Sequence, residues 1–168
     1  FAVEYGLDFG FEPGYLHQWE ISPTLDRQGR PFPAALEAPI EEIIARPGVK
    51  LLAKDRDASP DEFMAAASSL LAGRASVTCS SSIGLLEIAA PGVTKATGLA
   101  EIAATHGIDA NEIAAIGDMP NDVPMLEWAG ESYAVANAHP AARAAAGTLV
   151  GSNDDDAVAV LIESILRR

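Results

Sequence analysis

Ile113-Ala114-Ala115-Ile116-Gly117-Asp118-Met119-Pro120-Asn121-Asp122 is the stretch on which the reading of this 168-residue chain turns. Four apolar residues run into a glycine, then an aspartate, then a proline suited to open a helix. This reads as a buried parallel strand whose carboxyl end presents Asp118 to solvent. Pro120 is tolerated in a first helical turn, which puts Asn121 and Asp122 beside backbone N–H groups that lack helical partners. In open α/β sheets, ligands bind at the carboxyl ends of the strands. A carboxylate there, followed by an amide and a second carboxylate, suits a hard cation and an anionic substrate. The plainer alternative is a strand–turn–helix corner in which Asp118 is only a cap.

Composition bounds the answer. Residues of hydrophobic type make up 49% of the chain, enough for a substantial core. Eleven basic against 24 acidic residues give a net charge of −13, which disfavours nucleic acid and anionic membranes as partners. The single cysteine, Cys79, has no partner for an internal disulfide, and a reducing, cytoplasmic setting is expected. No apolar run approaches the roughly 20 residues of a membrane span.

Working outward, the alternation on the carboxyl-terminal side of Pro91-Gly92 is regular. Helices are expected over residues 95–106, 120–128, 140–146 and 154–166, and strands over 113–116, 132–136 and 148–150. Repeating strand–helix units of this length predict a doubly wound parallel sheet. The first part is different. Strands are expected over 1–5, 9–12, 49–53, 75–79 and 85–89, with helices over 36–45 and 60–72. Ser59-Pro60-Asp61-Glu62 is a strong helix start, with a serine cap, a proline in the first turn and a glutamate to close a capping box. This is a small α+β unit, and the boundary falls near Ala90: residues 1–90 form one domain and 91–168 the other. His17 lacks a second ligand at metal spacing and reads as an ordinary surface or hydrogen-bonded histidine, while Trp19 reads as packing.

Four pieces then carry a resemblance. Thr94-Lys95 opens a helix. Gly117-Asp118-Met119-Pro120-Asn121-Asp122 follows, then Val135-Ala136-Asn137-Ala138-His139-Pro140, then Ser152-Asn153-Asp154-Asp155-Asp156-Ala157-Val158. In order and spacing they resemble the Cof-type branch of the haloacid dehalogenase superfamily of phosphatases, over residues 85–168. Residues 1–90 resemble, more loosely, that family's large α/β cap domain. The resemblance implies Mg²⁺-dependent hydrolysis of phosphomonoesters through an aspartyl-phosphate, with a small phosphorylated metabolite as substrate. Lys95 would hold the nucleophile and the phosphoryl oxygens, Asp118 would bind the metal, Asn121 would contact phosphate or substrate, and Asp122 would steady the metal shell. The catalytic set is therefore Lys95, Asp118 and Asp122, and the metal set Asp118 and Asp122. Cap residues that could meet the substrate are Glu4, Tyr5, Glu12, Tyr15 and Trp19. Phosphoryl transfer needs its negative charge neutralised locally, which in so acidic a chain points to a cation and Lys95.

In that family the nucleophile motif, DxD, ends the first core strand, upstream of the cap. This chain starts at Phe1, within an apolar stretch. The expected fold is therefore the carboxyl-terminal half of a Rossmannoid parallel sheet plus an α+β cap, and the expected state an inactive fragment. An exposed sheet edge, open to association, should remain where the missing half would pair. Two internal look-alikes, Asp55-Arg56-Asp57 after the strand at 49–53 and Ser80 after Val77-Thr78-Cys79, could mimic a compact capless enzyme. Lys54 interrupts the apolar run before Asp55, however, and Ser59 is more simply a helix cap. A second class of function is a non-catalytic α/β module that binds a ligand or partner around Asp118.

Overall fold

The computed structural model describes residues 1–6, 8–15, 35–55, 57–79 and 84–168. They divide into two compact units, the first ending at Pro91 and the second running from Gly92 to Arg168.

The first unit is built on a six-stranded sheet. Its strands are β1 (Ala2–Glu4), β2 (Phe9–Phe11), β3 (Ala35–Glu37), β4 (Lys50–Lys54), β5 (Ser76–Cys79) and β6 (Leu85–Ala89), in the spatial order β3-β2-β1-β4-β6-β5. The β2–β3 pair is parallel, whereas β1 pairs antiparallel with β2 and β4, and β4 with β6. Successive side chains point to opposite faces of a strand. Ala2 accordingly joins a cluster with Phe11, Tyr15 and Leu52, and its neighbour Val3 a second cluster with Ala38 and Ile43. Ile43 comes from a short helix, α1 (Ile40–Ile43), and the Tyr5 hydroxyl donates to its carbonyl. Helix α2 (Pro60–Leu71) begins as its sequence dictates: Ser59 Oγ accepts the Glu62 N–H at 3.3 Å, and Pro60 occupies the first turn.

The second unit holds three parallel strands, β7 (Ala114–Gly117), β8 (Glu131–Ala134) and β9 (Thr148–Leu149), side by side in chain order. Its helices are α3 (Lys95–His106), α4 (Val123–Trp128), α5 (Pro140–Ala145) and α6 (Ala157–Leu166). The core joins Ala115, Leu126, Ala134, Val135, Ala138 and Ala142. Thr94 and Thr97 cap α3 reciprocally, and Gly107 ends it in the left-handed conformation at φ 67°.

Two expectations about elements need correction. The helix foreseen over 36–45 is shorter, because Ala35–Glu37 pairs as a strand with β2 and only Ile40–Ile43 is helical. The last helix does not run from residue 154. Ser152 caps a 3-10 turn over Asn153–Asp155, Asp156 turns left-handed at φ 54°, and α6 begins after it.

The larger correction concerns the fold class. The chain is not described by a carboxyl-terminal half-sheet plus a cap. Among the described residues nine strands form two sheets, and β1 sits inside the six-stranded sheet with β2 on one side and β4 on the other. The Phe1 amino group pairs with Glu12 at 2.6 Å.

Candidate active site

Asp118 follows β7 directly, at the carboxyl end of the strand. A 3-10 turn over Pro120–Asp122 then leads into α4. Asp122 folds this loop back on itself. One carboxylate oxygen accepts the N–H groups of Asp118 at 2.8 Å and Met119 at 3.0 Å, and the other accepts from the Lys95 ammonium at the start of α3. Gly117 makes the approach of Asp122 feasible, since a Cβ there would lie 2.5 Å from the Asp122 Cβ and 2.9 Å from Oδ2. The loop is also held from outside: the His139 N–H donates to the Asp118 carbonyl at 2.8 Å.

The two carboxylates are pushed in opposite directions. Burial, then the charge of Asp122 and a hydrogen bond with it, raise the Asp118 pKa above the ordinary carboxylate value, against the weaker pull of Lys95. Burial also acts to raise Asp122, but the Lys95 hydrogen bond and the two backbone N–H groups outweigh it and hold Asp122 below the usual range. Divergent pKa values in one small cluster are a mark of functional sites. Beside them Asn121 is buried, and its Oδ1 has no hydrogen-bond partner among the described residues. A buried acceptor left without a donor is costly, so a donor arriving with a ligand would remove that penalty.

Lys95, Asp118, Asn121 and Asp122 thus lie on one loop and the helix start beside it. His139 stands in the Val135–Pro140 motif, and nothing in the sequence points to its contact with Asp118. Its contact is made by backbone, to which side-chain identity is a poor guide. No helix among the described residues is long and apolar enough to cross a membrane. Nor do three or more His, Cys, Asp or Glu side chains gather as a ready-made metal site among them.

Elsewhere the named residues are engaged in structure. Asp55 directly follows β4, a strand of the antiparallel part of the first sheet, and its Oδ1 accepts the N–H groups of Asp57 and Ala58 in a tight turn. It occupies a turn-capping position and not the end of a parallel strand. Ser80, His17 and Trp19 lie outside the described residues. Glu12 binds the amino terminus, Glu4 pairs with Lys50 at 3.7 Å, and Lys50 also reaches Glu87 at 3.1 Å. Tyr5 lies under the Arg46 guanidinium, 3.6 Å from the ring centre. Tyr15 is buried, and burial with the nearby Glu4 charge pushes its hydroxyl up to about 12.

The chain is similar to known proteins. A family model described as haloacid dehalogenase-like hydrolase matches residues 26–162. The chain is 40% identical over 84 residues to the 5-amino-6-(5-phospho-D-ribitylamino)uracil phosphatase YbjI of Escherichia coli (strain K12), covering 50% of this chain and 31% of that protein. It is 53% identical over 55 residues to a phosphoglycolate phosphatase of Methanothrix thermoacetophila, covering 33% of this chain and 25% of that protein. The crystal structure of SMU.1108c from Streptococcus mutans UA159 matches with a TM-score of 0.76 at 25% identity, over 99% of this chain and 61% of that one.

These matches overturn the expectation of an inactive fragment. The family model extends from the first unit far into the second, and the solved structure follows nearly the whole chain. The expectation had rested on Phe1 as a starting point, and a first residue carries no information on what a protein contains. The matches give no support to a chain that lacks its nucleophile half and is inactive alone, nor to association through a sheet edge left by that half.

Proposed function

The chain belongs to the haloacid dehalogenase-like hydrolases, and from that premise we propose that the protein carrying it hydrolyses phosphomonoesters of small metabolites with Mg²⁺. The observation that carries this reading is a buried, charge-compensated Asp122 beside an Asp118 whose burial and repulsion outweigh the pull of Lys95, at the carboxyl end of a parallel strand. Family membership itself points to a Mg²⁺-dependent mechanism in general terms. The finer assignment is ours. Asp118 holds the ion, because a cation beside it relieves the burial and the repulsion that raise its pKa. Asp122, already engaged by Lys95 and two N–H groups, steadies the loop behind it.

Bound there, Mg²⁺ supplies positive charge against the phosphoryl oxygens. The chain's own residues do the rest of the positioning. The Lys95 side chain is 48% exposed while its partner Asp122 is only 3% exposed, so the ammonium is anchored on one side and open on the other to an anion. Asn121, with its unpartnered buried oxygen, orients a donor group of the substrate or of its hydration shell. A cytoplasmic setting fits a chain with one cysteine, Cys79, which is buried.

The two named relatives act on a ribitylaminouracil phosphate and on phosphoglycolate. They share the phosphomonoester and differ in the alcohol, so the proposal commits to the bond and not to the leaving group. The test is hydrolysis of an aryl phosphate by the full-length protein that carries this chain. Turnover should require Mg²⁺, stop with a chelator, and fall by about 100-fold or more in Asp118→Asn, in line with losing a metal's charge stabilisation. Mg²⁺-independent turnover, or an Asp118→Asn variant as active as the parent, would sink the reading. Mg²⁺ binding without hydrolysis of any phosphomonoester would favour a ligand-binding module.

A further inference from the structure

The segment Val135–His139, between β8 and α5, is tied down at both ends. At one end Asn137 and Asn153 clasp each other: the Asn137 Nδ2 donates to Asn153 Oδ1, and the Asn153 N–H donates to Asn137 Oδ1 at 3.2 Å. Alongside, the Ala136 N–H donates to the Gly151 carbonyl at 3.0 Å, and the Arg143 guanidinium donates to the Ala136 carbonyl. At the other end the His139 N–H donates to the Asp118 carbonyl at 2.8 Å, while His139 Nδ1 accepts the Ala141 N–H at 3.2 Å and caps α5. The single residue between Asn137 and His139 is Ala138, which is buried and whose N–H donates to the Val135 carbonyl at 3.0 Å. The segment is thus held by hydrogen bonds along its whole length.

We infer that the Asn137–Asn153 pair is a latch that positions Asp118. Asp118 is gripped through its backbone from two directions. Its N–H goes to Asp122, within its own loop, and its carbonyl takes the His139 N–H from a different loop. The second grip is only as firm as the anchorage of the segment that delivers it, and the amide clasp is the side-chain part of that anchorage, beside the Ala136–Gly151 backbone bond. Asn137 and Asn153 are both exposed. They fill no core, so hydrophobic packing does not account for the clasp. The two residues are positioning residues: neither touches Asp118, and both act through His139. The link to chemistry rests on the reading of Asp118 as the Mg²⁺ residue, whereas the latch itself does not.

Amide hydrogen exchange in the full-length protein tests the latch without any metal. In Asn137→Ala and Asn153→Ala, exchange at the His139 N–H should quicken by about tenfold or more through local opening, while Leu126 and Tyr133 in the core keep their rates. Asn153→Asp should restore slow exchange, since a carboxylate still accepts from the Asn137 amide and the backbone donor at 153 is retained. Mg²⁺ titration by calorimetry should then show affinity falling several-fold in the alanine variants and recovering in Asn153→Asp. Unchanged His139 exchange in Asn137→Ala overturns the latch. A faster His139 with unaltered Mg²⁺ affinity overturns its coupling to the site. Absence of Mg²⁺ binding in the parent protein overturns the metal reading alone, and the exchange rates still decide the latch.

Discussion

Lys95 and Asp122 stand 27 residues apart in the chain and form an ion pair whose carboxylate is buried and whose ammonium is half exposed. The pair fastens the start of α3 to the loop that follows β7. Its two ends are unequal in consequence. Asp122→Ala removes the acceptor for Lys95 and for the Asp118 and Met119 N–H groups together. It should destabilise the protein by about 2–4 kcal/mol in denaturant titration, the cost of several buried donors losing their partner. Lys95→Met leaves the two N–H bonds in place and should cost less, while still lowering affinity for phosphate.

The same pair gives a pH dependence with a definite sign. The folded-state pKa of Asp122 lies below its unfolded value, so the carboxylate contributes stability that is fully present above the unfolded pKa of about 4. That contribution is lost as pH falls through the folded pKa. Thermal melting followed from pH 7 downward should therefore stay level through the mildly acidic range and drop below about pH 4, with the drop reduced in Asp122→Asn.

Asp118 behaves oppositely. Its folded pKa is raised, so ionisation opposes folding of the metal-free protein, and stability is lost as pH rises through that pKa. Asp118→Asn should melt at a higher temperature than the parent in chelator at pH 7, although it is expected to turn over less phosphomonoester. Added Mg²⁺ should raise the melting temperature of the parent and leave the variant unmoved. A variant less stable than the parent in chelator would contradict this account.

Gly117 is a steric requirement of the site, not a hinge. A Cβ at this position would lie 2.5 Å from the Asp122 Cβ and 2.8 Å from Cγ. Gly117→Ala should cost about 1–3 kcal/mol of stability through overpacking. It should also weaken Mg²⁺ binding, because the carboxylate it displaces holds the Asp118 loop. Chemical denaturation and metal titration of the same variant check both.

What could be read from sequence was what is local. Ile113 to Asp122 contains a strand, a turn and the residues that close it, so ten consecutive residues hold most of the loop geometry. The Thr94 and Ser59 caps are similarly contained within four residues. The contact of Lys95 with Asp122 spans two helices and a strand, and only family resemblance brought the two together. Ala35–Glu37 shows the limit of propensity. Ala, Leu and Glu favour helix, but pairing with β2 decides the matter, and Pro39 confines helical geometry to the residues after it. Asn137 and Asn153 both stood in quoted motifs, yet an amide pair formed between two loops leaves no periodic trace. The fragment reading failed for a different reason: it took the first residue as evidence about the fold.

The pairing of strands in the two units also bears on the order in which they form. In the first, Val3 meets Leu51 and Leu51 meets Ile88, so β1 stays unpaired on its β4 side until residues far downstream have been synthesised. In the second, Ala115 meets Ser132 and Tyr133 meets Thr148, each closing a short crossover. Chain-closure entropy slows the first kind of contact more than the second. Although translated later, the unit around Asp118 has the shorter search to its native pairing, and the Asp118 loop can take shape while the six-stranded sheet is still assembling.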